Sequence, residues 1–434
     1  MGVSILMRPV IVLGSVLLLV CPGIAQQRET DTDRDLRTFY ESRRDRAVWI
    51  DERGRPTFEA LRVVARLRDV AEDGLEPSVY GVEELGRQAL ALEAGGPFSA
   101  VDAAGFDVGL TSSVLRYFRH LHLGRVSSRV LGFHLDHAFE PHDFPEHLRS
   151  ALSGHSFDRV VETLRPPFVQ YRELRRALPE YRGRDPARVR QIELALERLR
   201  WLPDVSRERL LLVNIPMFHL WGWDADRTDG IPSIDMAAIT GKAGATRTPV
   251  FTSAITSVVF NPEWVVPESI LKNEILPAIA ANSEYLVQHH MEMTRSSGTT
   301  RVRQLPGPWN ALGPIKFVLP NIHDVYLHGT PAPALFKEER RDFSHGCVRV
   351  ADPIALAAWV LKGEIDWPLD RIRTVVASGE TRSIKVRRPP RVVLFYTTAA
   401  VIPEDGTVQF AEDVYGHDAR LDAWLQAQSD GVER

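Results

Sequence analysis

Leu210-Leu211-Leu212-Val213-Asn214-Ile215-Pro216, followed at once by Phe218-His219-Leu220-Trp221-Gly222-Trp223, is where the chain changes texture. Both runs are short, apolar or alternating, and bounded by turn residues, the pattern of β-strands. Upstream, apolar residues recur at helical spacing instead. Residues 58–67 read Phe-Glu-Ala-Leu-Arg-Val-Val-Ala-Arg-Leu, and 114–123 repeat the pattern. Two further helices are expected over 168–178 and 187–202, the second stopped by Pro203, with a turn-rich stretch at 179–186 between them. Downstream, 248–260 is rich in Val, Thr, Ile and Phe, and 315–319 and 325–327 read as strands; 267–281 and 353–362 carry helical patterns. The Arg-rich stretch 385–391 reads as a solvated linker, 392–399 and 406–410 as a strand pair, and 417–428 as a closing helix. The expected fold class is α+β: a mainly helical domain over 26–205, a β-rich domain over 206–380, and a strand and helix extension over 381–434.

The whole chain agrees with such a division. Its 434 residues are too many for one ordinary domain. Apolar residues make up 44% and charged residues 25%, as in soluble globular proteins. A net charge of −4 gives no reason to expect a nucleic-acid partner, and no repeat of solenoid period is present. The N-terminus differs in kind. Arg8 precedes the apolar run 10–20, then Pro22-Gly23-Ile24-Ala25 offers small residues for a cut after Ala25. This reads as a signal peptide over 1–25, hence an exported, periplasmic or cell-envelope protein with no membrane span once it is removed. The rival readings are an uncleaved anchor, for which the run is short, and lipidation at Cys21, which bulky Leu19 and Val20 disfavour.

Cleavage would leave Cys347 as the one cysteine of the mature chain. Structural cysteines in an oxidising compartment come in pairs, so a lone one is either a buried small hydrophobe or a reactive thiol. Its neighbours argue for reactivity. Tyr326-Leu327-His328-Gly329-Thr330-Pro331 is followed by Ser344-His345-Gly346-Cys347-Val348-Arg349-Val350. An imidazole beside a thiol can hold the pair as thiolate and imidazolium, and a thiol pKa lowered by about 2.5 corresponds to about 3.4 kcal/mol. His345 would share a face with Cys347 in extended backbone; His328 can approach from another segment. Gly346 permits close approach of a carbonyl and an unusual φ, so the N–H groups of Gly346 and Cys347 are expected to face a developing oxyanion, each worth about 3 kcal/mol. Arg349 can hold a carboxylate or brace the loop.

Other side chains carry less. Zinc is disfavoured because structural sites use paired Cys or His at short spacing, and a single Cys accompanies His289, His290, His323, His328 and His345. No metal or other cofactor is expected. The seven histidines from His120 to His155, with His120-Leu-His122 and His134-Leu-Asp-His137, read as scaffold rather than as a metal or pH-sensing site. Trp221 and Trp223 read as packing rather than sugar-stacking residues.

The His-Gly-Thr and Ser-His-Gly-Cys-Val-Arg-Val segments resemble the signature of the L,D-transpeptidase (YkuD-like) catalytic domain. Val213-Asn-Ile-Pro216, residues 248–257, Asn261-Pro-x-Trp264, residues 303–313 and Lys316-Phe317 are similar to the proteobacterial branch with a helical scaffold. The resemblance covers roughly 190–420 well and 30–190 loosely. It implies a thioester acyl-enzyme on Cys347, with His328 as general base oriented by the Gly329 carbonyl, and His345 and Gly346 shaping the oxyanion side. Arg349, Ser344, Tyr326, Trp309 and Asn310 would meet substrate. Donor and acceptor peptidoglycan stem peptides would be the partners, with 3→3 cross-linking and D-Ala release as the default. A 1→3 linkage, an L,D-carboxypeptidase and a non-catalytic wall-binding scaffold remain open. The branch commonly inserts a peptidoglycan-binding domain between the helices near 168–200; here there is no room for one.

Overall fold

The computed structural model describes residues 30–95, 99–135, 142–154, 156–205, 207–225, 230–296, 299–402 and 406–432. The leader-like segment, Cys21, His137 and His155 lie outside them. The chain folds as two compact units, one of residues up to 127, 136–203 and 420–434, the other of 128–135 and 204–419. One passage between the units falls at 203/204, beside the expected change of texture, and the chain passes between them three times more.

The first unit is helical: α1 (Asp31–Ser42), α2 (Phe58–Arg68), α3 (Val82–Glu93), α4 (Ala100–Leu123), α5 (Phe144–Leu152), α6 (Phe157–Leu164), α7 (Val169–Tyr181) and α8 (Pro186–Leu199). Local chemistry starts these helices. Thr57 accepts from the Ala60 N–H to cap α2, Ser99 and Asp102 form a capping box on α4, and Asp185 caps α8 ahead of Pro186. The long α4 sits centrally and buries Phe106, Leu110, Val114, Tyr117, Phe118 and Leu121. Asp107 is buried on α4 too, because its carboxylate receives the Val48 and Trp49 N–H groups and the Tyr40 hydroxyl. Helices α7 and α8 are joined through residues 182–185, so no inserted domain separates them.

The second unit is built on an eleven-stranded sheet. Its strands are β1 (Leu210–Asn214), β2 (His219–Trp223), β3 (Ile234–Gly241), β4 (Phe251–Ala254) and β5 (Ser257–Phe260). A smaller sheet follows from β6 (Trp264–Val265), β7 (Met291–Ser296) and β8 (Thr299–Gln304). The main sheet resumes with β9 (Ile315–Val318), β10 (Leu327–His328), β11 (Asp342–Ser344), β12 (Val348–Val350), β13 (Arg382–Lys385) and β14 (Arg391–Phe395). Its order is β13-β5-β9-β10-β12-β3-β2-β1-β14-β4, with β11 paired to β3. The stretch 385–391 thus connects two strands at distant positions in one sheet. Strand 391–395 joins that sheet, and the small pair is instead β15 (Ala399–Val401) with β16 (Val408–Phe410). Segment 128–135 also belongs here: His134 bonds Val250 and Thr252 and covers the β4 edge.

Alternation separates core from site. On β9, β10 and β12 the residues Phe317, Leu327 and Val348 lie in register and are fully buried, packed with Leu356, Ala357 and Val360 of the helix Pro353–Val360. The neighbouring row therefore faces the other way, and it carries the chemistry. The expected helix over 267–281 is broken: a π-helical turn, Leu271–Ile275, separates Glu268–Ile270 from Leu276–Ala281. With the small sheet it forms a capping element around Val266, Leu271, Ile275, Met291 and Val302.

Candidate functional site

Parallel pairing of β10 with β12 sets His328 opposite Arg349, and antiparallel pairing of β10 with β9 sets it opposite Lys316. Side chains two apart on a strand share a face, so Tyr326 joins His328 and Cys347 joins Arg349. The Val348 N–H donates to the Tyr326 carbonyl (3.1 Å), which holds Cys347 beside Tyr326. Five side chains from three strands thus converge: Lys316, Tyr326, His328, Cys347 and Arg349. The ring centroids of Tyr326 and His328 are 5.6 Å apart, and the Lys316 ammonium lies 3.8 Å from the Tyr326 ring centroid.

Cys347 is half-buried rather than sealed. Its Sγ donates to the Asp324 carbonyl at 3.8 Å, and the Tyr326 hydroxyl is a further hydrogen-bonding neighbour. Burial pushes the thiol up, outweighing Tyr326, Lys316 and Arg349, which pull it down. His328 is buried, and burial with the adjacent Arg349 and Lys316 pushes its pKa down to about 3. The Gly329 and Leu312 carbonyls favour the charged ring but lose to these effects. Its Nδ1 is buried without a hydrogen bond of regular geometry, and no hydrogen bond joins the ring to Sγ. Burial therefore opposes the thiolate–imidazolium pair that the sequence allows. It works against the charged form of both groups, and for the imidazole the Arg349 and Lys316 cations add to that effect.

The oxyanion side also differs from expectation. Gly346 has φ +111°, as a glycine there allows. Its N–H, however, donates to Ser344 Oγ (3.1 Å), while Ser344 Oγ donates to the Cys347 carbonyl. Ser344 is buried and braces the loop. The Cys347 N–H meets no acceptor among the described residues and is the donor left for an oxyanion.

The remaining predicted residues separate. His345 is exposed and bonds Glu274 on the π-helical turn at 2.9 Å. Trp309 is exposed and stacks on His290 at 3.6 Å between centroids. Asn310 is wholly buried: its amide donates to the Pro262, Gln304 and Leu305 carbonyls, and its Oδ1 accepts the Leu312 N–H. It therefore braces a turn and has no free group to offer a ligand. Arg349 is half-buried with Nε unpartnered. Sequence reasoning passed over Lys316 as a site residue, although Lys316-Phe317 lies in an expected strand and in the family resemblance; register puts it beside His328. No group of metal-ligating side chains is present among the described residues.

Comparison with known proteins finds two domains along the chain. Residues 34–178 match a scaffold domain, and residues 208–376 match the L,D-transpeptidase catalytic domain. A Haemophilus influenzae protein described as "Putative L,D-transpeptidase" is 30% identical over 291 residues, which are 63% of this chain and 57% of that protein. A scaffold domain followed by an L,D-transpeptidase catalytic domain fits the scaffold-bearing branch of the L,D-transpeptidases. The match spans a little over half the length of that relative.

Proposed function

We propose that this chain is an exported peptidoglycan L,D-transpeptidase that works through a Cys347 thioester. The observation that carries the reading is a half-exposed thiol sharing one sheet face with a neutral imidazole, next to a backbone N–H without an acceptor. Cys347 Sγ attacks the carbonyl of the third residue of a donor stem, and its proton passes to His328. The negative oxygen is met by the Cys347 N–H. Imidazolium is disfavoured in this setting, so His328 readily gives the proton to the departing D-Ala amine as the C–N bond breaks. An acceptor-stem amine then attacks the thioester, loses its proton through His328, and returns the thiol. Lys316 and Arg349 stabilise the transient thiolate, and either can meet a stem carboxylate.

Defined tetrapeptide stems provide the test. Wild-type protein gives 3→3 dimers and free D-Ala; Cys347→Ala gives neither while its melting temperature stays unchanged. Trimmed tripeptides without dimers would mean that water resolves the thioester, as in a carboxypeptidase, and dimers without D-Ala release would mean a 1→3 linkage. A folded wild-type protein that yields no product and no carbapenem adduct on Cys347 would leave a wall-binding scaffold.

A further inference from the structure

Tyr415 lies beyond the stretch that matches the catalytic domain, which ends at residue 376, yet it is tied to the nucleophile loop. It is buried, 3% exposed, and its hydroxyl accepts the Thr248 N–H (3.2 Å) and donates to the Gly241 carbonyl. Thr248 is buried as well, and its Oγ1 accepts the Gly241 N–H (2.8 Å) and donates to the Gly346 carbonyl (2.8 Å). Both hydroxyls therefore have fixed directions, each with one donor behind it and one acceptor ahead. The cradle is close-packed: a Cβ on Gly241 would stand 2.0 Å from the Thr246 carbonyl oxygen and 2.7 Å from the Thr248 nitrogen.

The Gly346 carbonyl and the Cys347 N–H are opposite edges of one peptide group. A peptide group is planar and trans, so anchoring the carbonyl points the N–H the opposite way. That N–H meets no acceptor among the described residues. We infer that Thr248 and Tyr415 are positioning residues that aim the Cys347 N–H at the oxyanion, so that the catalytic unit needs the C-terminal extension. The inference rests on the proposed acyl-transfer function.

The consequence is selective. Acylation passes through a tetrahedral oxyanion; alkylation by a haloacetamide does not, and reads the thiol alone. In the full-length protein, Thr248→Val and Tyr415→Phe slow acylation of Cys347 by a carbapenem about tenfold, a fraction of the loss on deleting an oxyanion donor. Haloacetamide alkylation stays within about twofold of wild type, and Thr248→Ser, which keeps the hydroxyl, restores acylation to within about threefold. Melting curves confirm that the variants compared are folded. Equal acylation by wild type and both variants overturns the inference, as does a parallel loss of acylation and alkylation, which would mean a general brace. A wild type that alkylates but never acylates overturns the catalytic reading itself.

Discussion

Charge is kept away from water in two regions of this molecule, and the two are built in opposite ways. In the helical unit, the carboxylate of wholly buried Asp73 receives Arg165 in a bidentate pair, 2.9 Å on each oxygen, and the hydroxyls of Tyr171 and Tyr117. Arg200, also wholly buried, bonds Glu197 at 3.0 Å, the Tyr171 hydroxyl and the Asp73 carbonyl. Each cation has an anion. On the catalytic sheet, Lys316 and Arg349 flank His328 with no carboxylate bonded to either among the described residues. A network in which cation meets anion holds helices together, even with the Arg200 Nε left unpartnered. An open one keeps its field for something that arrives.

Breaking each region should give different kinds of loss. Asp73→Asn leaves Arg165 facing a neutral amide in the interior, and chemical denaturation should show about 3–5 kcal/mol less stability for the helical unit. The alkylation rate of Cys347 in protein that remains folded should not change. His328→Asn acts the other way, slowing stem-peptide acylation by roughly 10²-fold, the low end for a general base because a thiol retains some reactivity alone. It should also alter the acid limb of stability. A ring whose pKa falls from about 6.5 unfolded to about 3 folded binds its proton first in the unfolded state. Its stabilising contribution is complete above pH about 6.5 and is lost as pH falls toward about 3. Denaturant midpoints measured across that window should decline less steeply in the variant. The smallest effect belongs to Lys316→Met. Without that ammonium the midpoint of the alkylation–pH curve should rise by roughly half a pH unit to one, while Lys316→Arg stays near wild type. A Lys316→Met curve that overlays the wild type would remove Lys316 from the site.

Much of this was legible before any coordinates. Helices α2, α4 and α8 follow from apolar spacing and caps that sit within a few residues of each other, and α7 from apolar spacing alone. The paired His328 and Cys347 segments were legible for a similar reason: each is a short run whose residue types have few other uses. Where the reading failed, the cause was distance along the chain. The break at 271–275 that brings Glu274 to His345 has no local signal. Asn310 looked available because nothing nearby showed that three carbonyls would take its amide. The sequence allows a thiolate–imidazolium pair because nothing local shows that the fold buries both groups.

The sequence alone determined the succession of a helical region and a strand-rich one and singled out His328 and Cys347 as candidate site residues, because periodicity and residue chemistry act over a few residues. Tertiary structure decided the burial and flanking cations that oppose charge on His328, the register that sets Lys316 beside it, and the reach of Tyr415 through Thr248 to the loop that carries Cys347. Those depend on strand register and on the electric field of residues far apart in the chain, and neither exists until the sheet has formed.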